Sequence, residues 1–115
     1  MDSDPAGARR VIGLCAQWCG VCREWRAAFD AVRAAHPQDR FEWIDVEDEA
    51  ELMGEVDIET FPAVLVGQQG TVLFFGTVLP KADMLTRLLA GVESGGDAGT
   101  PESTALLRRI DSRHL

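Results

Sequence analysis

The sequence predicts an α/β domain, a central mixed four-stranded sheet flanked by helices in the order β-α-β-α-β-β-α. Three observations predict it. Short apolar runs alternate with amphipathic segments over the first half of the chain, which builds a parallel βαβ unit. Two β-rich runs flank "QQG", a turn signal that adds an antiparallel hairpin. A leucine-rich segment with helical spacing follows the hairpin. At 115 residues the chain fits one domain and can bury a core without staples.

Each element has its own warrant. Residues 1–8 read as a flexible N-terminus, and 9–92 as the folded domain. "RRVIGLCA" (9–16) is a short apolar run, the signature of a buried strand. Over residues 19–35 the apolar positions Val21, Trp25, Ala28, Phe29, Val32 and Ala35 recur at spacings of three and four. This predicts an amphipathic helix, stopped by His36-Pro37. "FEWIDV" (41–46) is aromatic and β-branched, hence a strand.

In "EDEAELMGEV", Ala50, Leu52, Met53 and Val56 are spaced for a short helix, and acids near its N-terminus favour it. Residues 63–76 carry the hairpin. Pro80 suits the first turn of a last helix with Met84, Leu85, Leu88 and Leu89 facing inward. Residues 93–115 read as a flexible tail. Its "ESGGDAGTPEST" is linker-like, and only "ALLRRI" has the makings of a short helix.

Charge narrows the function. The net charge of −8 disfavours nucleic acid, whose phosphates need basic clusters. Eight acids and no base lie between Asp45 and Glu59, and the other 11 acids match the 11 bases. This segment is either a surface that steers basic partners or a solvated helix face. Three cysteines, an odd number, do not make a secreted disulfide framework. "MDSDPAGARR" carries Asp2, Asp4, Pro5 and Gly7, unlike a signal peptide, and no segment approaches the ~20 apolar residues of a membrane span. The expected location is the cytoplasm.

The chemistry lies in "AQWCGVCR" (16–23). Cys19 falls where a strand ends and a helix begins, a place where unpaired N–H groups and the helix dipole stabilise a thiolate. Cys22 lies one turn further on, close enough for a disulfide to close. Gly20 gives the intervening backbone its freedom. A redox couple, half of a metal site and a pair of buried thiols are the three readings. Structural zinc usually takes two ligand pairs. Here one pair stands with Cys15 at an unusual spacing and with distant His36 and His114.

"WCGVC" at a strand-to-helix junction, with "TFP" opening a hairpin, resembles the thioredoxin family over residues 9–92. The resemblance implies a thioredoxin-like fold and a protein-disulfide reductase that works by dithiol-disulfide exchange in cell redox homeostasis. Cys19 is then the nucleophile and Cys22 the resolving thiol. Trp18, Gly20, Val21, Phe61 and Pro62 contact the substrate, and Pro62 matches the family's cis-proline. A trans-to-cis cost of only ~0.5–1 kcal/mol lets a fold impose such a bond.

The expected partners are protein disulfides and a thioredoxin reductase or other dithiol donor. The protein is expected to act as a monomer, without nucleic acid, membrane, metal or any cofactor beyond the redox-active Cys19–Cys22 disulfide. The alternatives are a non-catalytic thioredoxin-like interaction module and a cysteine-based metal-binding module.

The chain departs from the family pattern in four ways. The strand and helix that precede the family's active-site strand have no counterpart in the roughly eight residues before it. The family's buried acid falls at Gly13 and its facing lysine near Trp43, which leaves Glu42, Asp45 or water to take the resolving thiol's proton. Val21 replaces a proline between the cysteines, which shifts the potential from about −270 mV. The family's mid-helix proline is missing near Ala27. Cys15 is read as a free buried thiol acting as a small hydrophobe. Trp25 and Trp43 are read as core or half-buried aromatics, and His36 as a helix-end residue.

Overall fold

The structure, a computed structural model, describes residues 8–16, 20–54, 56, 58, 61–92 and 99–112. Four strands form one sheet in the order β2-β1-β3-β4, made of β1 (Arg10–Cys15), β2 (Arg40–Asp45), β3 (Ala63–Gln68) and β4 (Thr71–Thr77). β1 pairs parallel with β2, and β3 runs antiparallel to both β1 and β4. This is the mixed sheet that the alternation and the hairpin predict. Gln69 (φ 54°) and Gly70 (φ 80°) close the hairpin with two positive φ angles, the geometry whose twist matches the flanking strands.

The central strands are apolar on both faces, and their side chains alternate between two cores. Val11, Cys15, Val64 and Val66 face one core with Trp25, Phe29, Leu85 and Leu89. These last four come from α1 (Gly20–Ala35) and α3 (Ala82–Gly91), which pack together on that face. Ile12, Leu14, Ala63 and Leu65 face the other core with Ile44, Met53 and the helix α4 (Pro101–Ser112). α1 runs without interruption, as expected of a helix lacking the proline. At its end the His36 ring donates from Nδ1 to the Val32 carbonyl at 2.9 Å, a helix-end role.

Three boundaries differ from the sequence reading. The acidic helix shrinks to α2 (Ala50–Met53). There the Asp45 carboxylate accepts from the backbone N–H groups of Glu47 and Asp48 at 2.9 and 3.1 Å, so the chain turns instead of coiling. Pro80 lies outside α3, whose N-cap is Lys81.

The third difference is larger. The tail expected over 93–115 contains a 12-residue helix whose Leu106, Leu107 and Ile110 are fully buried. Each such burial is worth about 1.5–3 kcal/mol, and the docked face holds a helix that is marginal in isolation. Residues 93–98 and 113–115 lie outside the described set, as do 1–7.

The start of α4 is capped reciprocally. The Ser103 N–H donates to Thr100 Oγ1 at 3.1 Å, and the Thr100 N–H donates to Ser103 Oγ at 2.8 Å. With Pro101 in the first helical position, "TPES" is a helix start written in four residues. Charges then pin the helix. Arg10 on β1 bridges Glu42 (3.0 Å) and Asp111 on α4. Arg109 donates to the carbonyls of Leu52 and Met53 at 2.6 and 2.9 Å, which joins α4 to α2.

Candidate functional site

The register brings one end of the sheet together. Cys15, the last residue of β1, stands opposite Asp45 on β2, and Leu14 stands opposite Ala63 on β3. Pro62, one residue before β3, therefore falls at the strand end beside Cys15. The Phe61–Pro62 bond is cis, as the sequence expectation had it. Pro62 is buried and its carbonyl accepts from the Val78 N–H at 3.0 Å, which fixes the end of β4 to the same place. α1 starts at this end of the sheet too, with Gly20 and Val21 exposed and Cys22 buried in its first turn.

Cys15 and Cys22 form a disulfide. Their Cα atoms are 5.8 Å apart, and each residue is 1% exposed. This corrects the reading of Cys15 as a free thiol. The side chain does pack as a small hydrophobe, but its strand position aims it at the first turn of α1, where Cys22 is within bonding reach. It also replaces, in this structure, the expected Cys19–Cys22 pairing. Cys19 and Trp18 lie outside the described residues.

A cleft of 490 Å³ opens beside the disulfide, lined by Cys15, Cys22, Arg23, Arg26, Trp43, Asp45, Asp48 and Glu49 among others. Part of the acidic segment thus faces this site. Of the two carboxylates expected to stand in for the family's buried acid, Asp45 lines the cleft. Glu42 does not, because strand alternation turns it to the other face, where it pairs with Arg10.

Gly13 carries no acid, and aromatic rings occupy the space around it. Trp25 packs on Phe29 and Trp43 with ring centroids 5.3 and 5.6 Å apart. Trp43 is the β2 partner of Gly13, and the Arg26 guanidinium lies 4.6 Å over its ring. The expectation of core or half-buried tryptophans holds, with Trp25 1% exposed and Trp43 half-buried.

Sequence reasoning missed one surface residue. Val21 and Leu79 are the exposed large hydrophobics among the described residues, at 43% and 57%. Leu79 follows Val78, whose N–H bonds to Pro62, so both apolar side chains stand at the cysteine end of the sheet. The signal available was an apolar residue left over after β4 and placed directly before Pro80.

A mixed four-stranded sheet between helices, a cis-proline opening its third strand and a cysteine in the first turn of the helix after β1 define a thioredoxin-like fold. The family model for thioredoxin matches residues 6–88, and the chain belongs to the thioredoxin family. Solved structures agree on the fold. Fasciola hepatica thioredoxin superposes with a TM-score of 0.64 at 22% identity, covering 76% of this chain and 84% of that one. The germline-specific thioredoxin Deadhead from Drosophila melanogaster gives 0.65 at 21%, covering 73% and 80%. Chlamydomonas reinhardtii thioredoxin f2 gives 0.65 at 20%, covering 73% and 78%. No curated protein matches the chain. Among the described residues, no group of three or more His, Cys, Asp or Glu is placed to hold a metal ion, and no helix is long and apolar enough to cross a membrane.

Proposed function

We propose that this protein is a thiol-disulfide oxidoreductase that reduces protein disulfides. Cys19 attacks a substrate disulfide as the thiolate and forms a mixed disulfide. Cys22 then attacks Cys19, which releases the reduced substrate and leaves a Cys19–Cys22 bond for a thioredoxin reductase or another dithiol donor to reduce. Asp45, in the cleft beside Cys22, takes the resolving thiol's proton directly or through water. Trp18, Gly20, Val21, Phe61 and Pro62 receive the substrate strand, and Leu79 extends their apolar surface. The protein works in the cytoplasm as a monomer.

The observation that carries this reading is Cys22. It stands in the first turn of α1, at the same end of the sheet as cis Phe61–Pro62, with its sulfur already joined to another. The test is insulin reduction with dithiothreitol as donor, comparing wild type with Cys19→Ser. The wild type is expected to precipitate insulin well above the uncatalysed rate and the variant to fall to background. A variant as active as wild type removes Cys19 from the reaction.

A further inference from the structure

We infer that Cys15 is a second resolving thiol, which draws Cys22 away from Cys19 and stores the oxidised state as a buried Cys15–Cys22 disulfide. The inference rests on the reading of Cys19 and Cys22 as the exchanging pair. It deepens that reading by adding a third sulfur and a second oxidised form.

Two observations carry it. Cys22 is bonded to the last residue of β1, four positions before the nucleophile, so strand and helix hold these two sulfurs together independently of Cys19. Both partners are 1% exposed and belong to the α1-side core. Each half shows only 1% of its surface to the adjoining cleft, which slows attack by external thiols, because exchange requires a thiolate to reach one sulfur in line with the other. Cys22 is thus the sulfur common to two disulfides, one formed with substrate turnover and one sheltered by packing.

The step needs no outside oxidant. After a substrate disulfide is reduced, the protein holds Cys19–Cys22 and a Cys15 thiol. Cys15 loses its proton and its sulfur attacks Cys22 Sγ. The Cys15–Cys22 bond forms, the Cys19–Cys22 bond breaks, and the electron pair leaves on Cys19, which takes up a proton. One disulfide and one thiol stand on each side of the exchange. In the product, Cys19 is a free thiol in an oxidised protein, able to form mixed disulfides but without a resolving partner. Reduction runs backwards, with Cys19 attacking Cys22 to return the disulfide to the position that a donor reaches.

The test maps disulfides in the full chain. Arg10 and Arg23 flank all three cysteines, so trypsin yields them on one peptide, residues 11–23. Reduced protein is oxidised with oxidised glutathione, free thiols are blocked with N-ethylmaleimide, and the disulfide is then reduced and labelled with iodoacetamide. In wild type, fragmentation is expected to place the maleimide on Cys19 and the second label on Cys15 and Cys22. Maleimide found mainly on Cys15 overturns the inference.

The Cys19→Ser variant is expected to close Cys15–Cys22 without maleimide uptake. It should also be reduced by dithiothreitol about tenfold more slowly than wild type, since the entry thiol is gone. A variant that keeps two blocked thiols, or that is reduced at the wild-type rate, also overturns the inference. The two readings fail separately. Insulin reduction that survives Cys19→Ser removes the exchange reaction, whereas maleimide on Cys15 removes only the second resolving thiol.

Discussion

A ring carbon of Phe29 lies 3.0 Å from the point where a β-carbon on Gly13 would stand, and a ring carbon of Trp25 lies 3.2 Å from it. The position at which the thioredoxin family buries an acid is therefore filled from α1 by aromatic rings. Gly13→Ala is expected to destabilise the fold by about 1–3 kcal/mol through overpacking. Gly13→Asp should cost more, because its β2 partner is Trp43 and a buried carboxylate there meets an aromatic side chain across the strands. Urea unfolding checks both, and in a Phe29→Leu background the alanine penalty should shrink. Equal midpoints for Gly13→Ala and wild type would show that the rings give way freely.

The face covered by α4 offers a second test. Leu107 reaches to 2.6 Å of the β-carbon that Gly67 lacks, at a register irregularity in the β3–β4 pair. Leu107→Ala should lower stability by about 2–5 kcal/mol. Gly67→Ala should also destabilise, since Leu107 is fully buried and has nowhere to move. Combined, the two should cost less than their sum, because the added methyl enters the space vacated. A strictly additive double mutant in denaturant titrations rules out this contact.

Capping gives a smaller, separable effect. Thr100 is exposed at its position but its hydroxyl accepts the Ser103 N–H. Thr100→Ala is expected to cost about 1 kcal/mol, and Thr100→Asn to restore most of it. Hydrogen exchange should show the loss first in the amides of α4. Protection unchanged there in Thr100→Ala counts against the cap.

Val21 and Leu79 test the proposed substrate surface. Val21→Ser and Leu79→Ser should each raise KM for insulin about fivefold, equivalent to about 1 kcal/mol of lost apolar contact, with kcat little changed. Reduction of a small aromatic disulfide, which touches neither side chain, should stay at the wild-type rate. Parallel losses on both substrates point to a disturbed thiol rather than a lost contact surface.

Much of this architecture is legible in the chain. The aromatic and β-branched content of "FEWIDV", the turn chemistry of "QQG" and the three-four spacing from Val21 to Ala35 are local signals, and the elements form where those signals stand. The proline of "TFP" and the cysteine spacing of "WCGVC" mark the site for the same reason, since a cis bond and a one-turn separation are short-range properties. "TPES" was equally local. Its capping signal lies inside a glycine- and serine-rich stretch whose composition suggests a linker.

The sequence by itself determined the strands, the hairpin, the long helix and the end of the sheet at which chemistry can occur, because each depends on residues within a few positions of one another. Only the tertiary structure decided that Cys22 bonds Cys15, that rings replace a buried acid at Gly13 and that α4 covers the second face. Those outcomes depend on distances across the fold. Cys22 follows Cys15 by seven positions, yet a strand end and a helix start bring them together. A 12-residue helix is marginal alone and becomes stable where an apolar sheet face receives it.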